Sequence, residues 1–260
     1  MNKRMVSLGL ALCLPALTGC FDVEQAMTLQ KDLSGKAAFS MTVNMEPMVL
    51  FMLRMQREMA GQKGEPTAAE IEKAKQDFLA SKTSTKEDPE KQKANVEKSL
   101  PPGVKLLESS MKDEGLKMSV RLVFGFDNIS KLAAIQLSNK GSEDHQQQPG
   151  AKNPFDQPFA GLKVTDEGKT LLLTTEAVNP AAESKQEAGG MDLSPEMKKQ
   201  MEDAFKGLRV AYKIDAPFEV LESNATRKEG RTLIWEYDLK TMEKMTPEQL
   251  AQGVRVRFKK

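Results

Sequence analysis

The sequence contains few of the residues that most often carry catalysis or bind metals. Its 260 residues include one histidine, one tryptophan, two tyrosines and two cysteines. The single histidine, His145, lies in the polar segment Asp144–Gln148, which provides no rigid scaffold to hold a catalytic partner beside it. The chain has no nucleophile elbow, dinucleotide fingerprint, phosphate-binding loop or zinc-protease motif. These absences predict a protein that is not an enzyme and that holds no catalytic residue, cofactor or metal.

The chain also lacks an excess of charge of either sign. It has 38 basic and 37 acidic residues. Loss of the first 19 residues would remove Lys3 and Arg4 and no acid, which leaves 36 bases against 37 acids. A balanced charge provides no general electrostatic attraction for a polyanion. We therefore expect no nucleic-acid partner.

Long hydrophobic runs are confined to the N-terminus. Lys3 and Arg4 precede the apolar segment Met5–Leu17, which is too short to span a bilayer as a mature helix. The longest later run, Met48–Leu53, is shorter still. This arrangement is typical of a cleaved signal peptide and predicts export from the cytoplasm.

The signal segment ends in Leu17–Cys20, with the sequence Leu-Thr-Gly-Cys. Thr18 and Gly19 are small enough to enter a narrow peptidase cleft, and the thiolate of Cys20 is a good nucleophile for alkylation. The segment resembles the lipobox of bacterial lipoproteins, which implies cleavage before Cys20 and a diacylglycerol on its sulfur. Stable anchoring requires more than one acyl chain, and a diacylglycerol on Cys20 supplies two. The membrane would therefore be a partner through lipidated Cys20. The alternative is an ordinary secretory signal, although Ala16–Thr18 only approximates its cleavage site.

The lipobox resemblance also implies a division of the chain and a location. Residues 1–19 would be the signal peptide, and residues 20–260 would form a single periplasmic domain. In the family pattern, an aspartate directly after the cysteine retains the protein at the inner membrane. Here Phe21 follows the cysteine, which favours the outer membrane, with the domain facing the periplasm. Since Cys13 leaves with the signal and Cys20 is the anchor, the domain would have no internal disulfide.

Apolar and polar residues alternate with a period of two over several short segments, as in an antiparallel sheet with one covered face. The first such pair, Val23–Leu29 and Ala38–Met45, is joined by the turn Lys31–Gly35. Similar pairs flank three further charged turns that end in glycine, at Lys112–Gly115, Thr165–Gly168 and Arg227–Gly230. In the last pair, Val220 and Leu221 are expected opposite Leu233. Two more strands are expected at Leu208–Asp215 and Val254–Lys259.

Helix start signals lie between these strands. Ser194 and Pro195 fit the cap and first residue of one helix, and Thr246–Gln249 fits a capping box for another, with Leu250 facing inward. Asp127 is expected to cap a short helix. The expected fold class is α+β: an antiparallel sheet built from hairpins, helices packed on one face, and a helical insertion.

The insertion is expected at residues 47–103, where the strand pattern is interrupted. Met48–Ala60 has apolar residues at helical spacing, Thr67–Glu70 resembles a capping box, and Asp88–Leu100 is a third, mostly polar helix. Pro101 and the residues after it end the insertion.

Four methionines of the insertion, Met48, Met52, Met55 and Met59, share one face of the first predicted helix. Their neighbours Val49 and Phe51 favour packing in a methionine-rich core. Alternatively, a helix lined by methionine and laid over a sheet would leave a deformable apolar groove for a lipid or a hydrophobic peptide. Thioethers also suit Cu(I), but copper sites usually include histidine, which this region lacks.

Two further segments are similar to LppM-like bacterial lipoproteins. One is Pro217–Leu239, which contains Glu222–Ala225 and Gly230–Tyr237, and the other is Val23–Ala37 with its turn at Asp32–Gly35. The resemblance implies an α+β envelope domain associated with the binding of lipid or glycolipid. The family link would be tested by whether the first and last strands are neighbours in one sheet. The charged segment Gly61–Gly103 departs from the family pattern.

The hypothesis from the sequence is a non-enzymatic, lipid-anchored envelope lipoprotein that binds a lipid, a peptide or a protein partner. A second hypothesis is a structural or assembly accessory that docks to an envelope complex through the helices of the insertion and has no ligand pocket. A hydrolase that uses two converging carboxylates is the third.

Overall fold

The computed structural model describes residues 21–62, 64–81, 89–137, 158–159, 161–175, 195–246, 248–249 and 252–260. The predicted signal peptide, Cys20, His145, Ser194 and Leu250 lie outside these residues.

The described residues form eleven strands, five α-helices and a short 3-10 helix. The strands are β1 Phe21–Leu29, β2 Gly35–Asn44, β3 Val104–Glu114, β4 Lys117–Phe126, β5 Lys163–Asp166, β6 Thr170–Thr174, β7 Arg209–Asp215, β8 Glu219–Ser223, β9 Arg227–Glu229, β10 Thr232–Asp238 and β11 Arg255–Lys259. The helices are α1 Glu46–Met59, α2 Ala68–Ser81, α3 Pro89–Ser99, α4 Pro195–Ala204 and α5 Leu239–Lys244, and the 3-10 helix is Ile129–Ala134.

The strands form two sheets that are mostly antiparallel. The larger sheet has the order β3-β4-β2-β1-β7-β10-β9, and the smaller has the order β5-β6-β11-β8. Among the described strands, only β1 and β7 pair in parallel, with Asp22 opposite Arg209. α3 packs on β3, and α5 packs on β10. The α+β class predicted from the sequence is confirmed.

Both sheets contribute to one hydrophobic core. Phe124 and Trp235 of the larger sheet and Phe258 of the smaller sheet are at most 1% exposed and belong to the same cluster of apolar side chains. The residues that the alternation predicts to face inward, such as Phe39 and Ile214, are buried. A shift of one residue in pairing would move these side chains to the solvent face, so burial fixes the register.

The predicted pairing of one hairpin is wrong. Val220 and Leu221 lie in β8, which pairs with β11 of the smaller sheet, and β10 pairs instead with the short strand β9. The chain changes sheet after β8, where the backbone of Asn224 donates to the carbonyl of Arg255 at 3.1 Å. β1 and β11, the first and last strands, lie in different sheets, so the adjacency that would support the family resemblance is not found.

Two predicted helix starts have the expected hydrogen bonds, and one cap is displaced. Thr67 N donates to Glu70 Oε2 at 2.7 Å, and Thr246 N donates to Gln249 Oε1 at 2.9 Å, as capping boxes require. The cap of the 3-10 helix is Asn128 and not Asp127, because Asn128 Oδ1 accepts from the backbone of Ser130.

The predicted helical insertion consists of α1, α2 and α3. The apolar residues Ile71, Ala74 and Phe78 lie on one side of α2 and are less exposed than most of that helix. Val96 and Leu100 at the end of the insertion pack against the core. Among the helices that the structure describes, none is long and apolar enough to cross a membrane.

Candidate functional site

An open cleft of about 420 Å³ lies at one end of the larger sheet. Its lining includes Lys36, Gly103, Lys105, Leu107, Gly125 and Asp127. Ligand sites of proteins usually have volumes of about 300 to 1,000 Å³, so the cleft is large enough for part of an organic ligand.

A glycine in β4 separates two lysines at the floor of the cleft. Gly125 pairs with Lys36 of β2 on one side and with Lys105 of β3 on the other. Neighbouring strands lie about 4.8 Å apart, which places the two lysine Cα atoms roughly 10 Å apart. Because Gly125 has no side chain, β4 places no group between the two lysines, and their flexible ammonium groups can reach one anion.

A β-bulge adds an apolar surface to the same floor. The pairing of β3 with β4 shifts between Leu106 and Glu108, so Leu107 is the additional residue and has no partner across the ladder. A Cβ atom at Gly125 would lie 3.2 Å from Leu107 Cδ1, which shows that the leucine side chain covers the glycine. Leu107 remains 52% exposed. The floor therefore combines an accessible leucine with a lysine on each side.

Two lysines of the cleft carry charges that no described residue compensates. Within the part of the chain that the structure describes, the ammonium groups of Lys36 and Lys105 have no ion-pair partner. The acid at the rim, Asp127, pairs with Lys131 at 2.8 Å. That pair lies over Gly103, where a Cβ would overlap both side chains and where φ is +87°. The two free lysines suit a carboxylate or a phosphate.

The cleft is far from the N-terminal end of the domain. Phe21 pairs with Val43 at one end of β1, and Leu29 pairs with Gly35 at the other end, beside the cleft. β1 has nine residues. At about 3.3 Å per residue, the cleft is roughly 30 Å from the start of the strand.

A second pocket, of about 30 Å³, lies between β7, β10, α5 and the start of β11. Tyr212, Tyr237 and Met242 contribute to its lining. The Tyr212 hydroxyl is buried and has no hydrogen-bond partner among the described residues. Burial raises the pKa of the Tyr212 hydroxyl, and the nearby Tyr237 raises it further. The pocket has about the volume of one water molecule and is too small for an organic ligand.

Arg209 binds three carboxylates near the start of β1. It donates from Nε to Glu236 at 2.6 Å, from Nη1 to Asp22 at 2.9 Å and from Nη2 to Glu24 at 3.1 Å. Burial alone would lower the pKa of the Arg209 guanidinium, but these hydrogen bonds outweigh it and raise that pKa. Lys213 adds an ion pair to Glu24 at 2.8 Å. Each carboxylate of the cluster already binds a cation, so none is left for a ligand. Because its residues come from β1, β7 and β10, the cluster holds these three strands together.

The four methionines of the predicted groove lie on α1 and line neither of the two pockets described above. Met52 and Met59 are exposed, and Met48 and Met55 are half-buried. They are not part of the buried core, because α1 packs mainly against α2 and α4. The groove beneath them stays a prediction. Cys20, the predicted lipidation site, lies outside the described residues.

Sequence reasoning missed the cleft. Gly125 is a glycine inside a strand pattern, between Phe124 and Phe126, and such a glycine often marks a bulge or a close approach of another residue. The adjacent residues Leu106 and Leu107 are a second signal of a bulge, because strict alternation along a strand cannot place both side chains on the core face. Only the pairing of three strands shows that Lys36 and Lys105 lie on either side of the glycine.

A comparison with known protein families finds no match, and a sequence search of curated proteins finds none either. Among solved structures, the chain resembles the NMR structure of the folded domain of LppM from Mycobacterium tuberculosis. The TM-score is 0.43 and the sequence identity is 10%, over 93% of this chain and 90% of that chain. A similarity of this size is too low to carry an argument about function.

Proposed function

We propose that the protein is a non-enzymatic lipoprotein of the bacterial envelope whose domain binds an anionic amphiphile in the cleft at Lys36 and Lys105. Its membrane partner is the bilayer that holds the lipidated Cys20. The lipobox residues Leu17–Cys20 support the anchor, and the presence of Phe21 after the cysteine supports the periplasmic face of the outer membrane.

One observation carries the ligand class: an exposed leucine, Leu107, lies between two lysines that have no partner among the described residues. The ammonium groups attract a carboxylate or phosphate, and the leucine favours contact with an alkyl chain. A fatty acid and a phospholipid share this chemistry. A purely polar anion would gain nothing from the leucine.

The anchor is tested with the variant Cys20→Ser. We expect the variant to lose lipid modification and cleavage before residue 20, and to leave the membrane fraction. Intact mass and membrane fractionation measure both changes. If processing and membrane association of Cys20→Ser match those of the unchanged protein, the proposed anchor is wrong.

The ligand is tested by mass spectrometry of the domain from Phe21 onward, exported to the periplasm, purified under native conditions and then denatured. We expect a co-purifying lipid, and we expect a fluorescent fatty acid to bind the emptied domain. Reversal of both charges in Lys36→Glu/Lys105→Glu should weaken that binding by about tenfold or more, since two ion pairs of about 1 kcal/mol each are lost.

Two further variants make this test specific. The control Lys112→Glu/Lys117→Glu changes the net charge equally at the other end of β3 and β4, and it should bind the probe normally. Leu107→Ser should weaken fatty-acid binding but not the binding of inorganic phosphate. A domain without lipid, together with equal binding by all variants, would contradict the ligand site and favour an accessory that docks to a protein.

A further inference from the structure

Three helices gather at the end of the larger sheet from which the anchor emerges; we name α1, α2 and α4 the helical cap. α1 packs against both α2 and α4. α1 begins directly after Met45, whose backbone donates to Leu116 O at 2.8 Å, in the turn between β3 and β4. α2 approaches the same turn, because a Cβ at Gly115 would lie 3.4 Å from Leu79 Cδ2.

The position of α4 and the strand pairing place this end beside Phe21, the residue that follows Cys20 in the sequence. α4 ends at Ala204, shortly before Arg209 begins β7 opposite Asp22. Phe21 already pairs with Val43, two residues before Met45. The residue that would bear the lipid therefore directly precedes a paired strand residue, and no flexible linker separates it from the sheet.

The helical cap presents apolar side chains to its surroundings. Seven large hydrophobic residues are exposed among the described residues, and four of them lie on the cap. They are Met59 at 80%, Met52 at 40%, Leu79 at 36% and Met201 at 36% exposure. Exposed apolar side chains concentrated in one region mark a contact with a partner or a membrane more often than scattered ones do.

Ion pairs within the cap neutralise several of its cations. Arg54 pairs with Glu65, in the segment between α1 and α2, at 2.7 Å, and Arg57 and Lys75 pair with Glu70 and Glu46. Over α1, α2 and α4, acidic residues outnumber basic ones. The cap is therefore not suited to bind a membrane by attraction to anionic lipid headgroups. Its exposed apolar side chains suit insertion between the headgroups instead.

We propose that the helical cap rests on the bilayer in which Cys20 is anchored, with Met52, Met59 and Leu79 entering the headgroup region. This inference rests on the proposed lipid anchor. The acyl chains fix the bilayer surface within one residue of β1, and α1, with 14 residues, extends about 21 Å from that point. The cationic cleft then stands roughly 30 Å from the membrane surface, at the other end of β1.

The test uses the full lipidated chain in vesicles of phosphatidylethanolamine and phosphatidylglycerol that contain a lipid with a nitroxide near its headgroup. Cys20 would be the only cysteine of the mature chain, and lipidation blocks its sulfur, so an introduced cysteine is labelled alone. A fluorescent dye is attached in Met59→Cys and, as the matched control, in Lys31→Cys. Lys31 is exposed in the turn after β1, at the end far from the cap.

We expect the nitroxide to quench the dye at residue 59 at least about twofold more than the dye at residue 31, because apolar side chains of an interfacial helix enter the headgroup region. Added salt should leave this difference unchanged, since the contact is apolar. With the dye in Leu79→Cys, addition of Met52→Asp/Met59→Asp should reduce the quenching at residue 79.

Three outcomes would overturn the inference. Absence of quenching at residue 59 in protein that floats with the vesicles would overturn the cap contact and leave the anchor standing. Equal quenching at both residues would show a domain that lies flat on the bilayer. A chain without lipid that fails to float would overturn the anchor and the cap contact together, and the intact mass distinguishes this case from the first.

Discussion

The side-chain oxygen of Asn224 accepts a hydrogen bond from the indole nitrogen of Trp235 at 2.7 Å. The same oxygen accepts from the backbone of Arg255 at 2.8 Å, and the Asn224 amide donates to Gly253 O at 2.9 Å. Trp235 lies in the larger sheet, and Arg255 begins β11 of the smaller one. One asparagine thus joins the two sheets at the point where the chain passes between them.

Replacement of Asn224 should destabilise the domain. Asn224→Ala leaves the buried indole N–H of Trp235 without a partner, and we expect a loss of about 2 to 3 kcal/mol in the free energy of unfolding. Urea denaturation followed by the fluorescence of Trp235, the only tryptophan, measures it directly. Asn224→Asp keeps the oxygen that accepts from Trp235, and its free energy of unfolding should therefore fall by less than that of Asn224→Ala. A loss below about 0.5 kcal/mol for Asn224→Ala would show that the sheets do not depend on this residue.

The sequence predicted the strands best where one face is buried. β1, β2 and β4 show the alternation because most of their inner residues, among them Met27, Phe39 and Leu122, meet in the core. Gln25 of β1 is an exception, a polar residue that is buried on the inner face. The capping boxes were also predictable, since Thr67 and Glu70 bond within one helical turn. Such patterns depend on residues close together in the chain, which a single sequence contains.

Features that depend on lateral pairing could not be predicted. The strand β8 pairs with β11, more than thirty residues later, and nothing in Val220 or Leu221 selects that partner over β10. The stripe of methionines indicated a helix correctly but not its neighbours, because α1 packs on other helices. The cleft needs the pairing of three strands, so its lysines are unremarkable in the sequence.

The interaction of Glu24 with its two cations predicts a dependence of stability on pH. Burial alone would raise the pKa of the Glu24 carboxyl, but hydrogen bonds from Lys213 and Arg209 outweigh it, and the pKa lies below its ordinary value of 4.5. The unfolded chain therefore binds a proton at higher pH than the folded chain does. The stabilisation by Glu24 is complete above pH 4.5 and is lost as the pH falls through the lowered pKa.

We expect the variant Glu24→Gln to be less stable than the unchanged protein at pH 7 and to show a smaller decline in stability below pH 4.5. Urea denaturation at a series of pH values measures both effects. The control Glu97→Gln removes an exposed carboxylate of α3 and should leave the pH profile unchanged. Parallel profiles for Glu24→Gln and the unchanged protein would refute the role of Glu24.

The buried hydroxyl of Tyr212 predicts an effect of the opposite sign. A hydroxyl buried without a hydrogen bond costs free energy, while the ring of Tyr212 contributes to the core. Tyr212→Phe removes the hydroxyl and keeps the ring, so we expect the free energy of unfolding to stay equal or to rise by up to about 1 kcal/mol. The control Tyr237→Phe changes a half-buried tyrosine of the same pocket and should have little effect.

Thermal and urea denaturation of the two phenylalanine variants show whether the Tyr212 hydroxyl has a hydrogen-bond partner in the small pocket or none. If Tyr212→Phe loses more than about 1 kcal/mol, the hydroxyl has a partner in solution, and the pocket of about 30 Å³ has room for a water molecule in that role. If the variant is as stable as the unchanged protein or more stable, the pocket holds no hydrogen-bond partner for the Tyr212 hydroxyl. In that case Tyr212 serves the fold through its ring, and the cleft at Lys36 and Lys105 is the better place to search for a ligand.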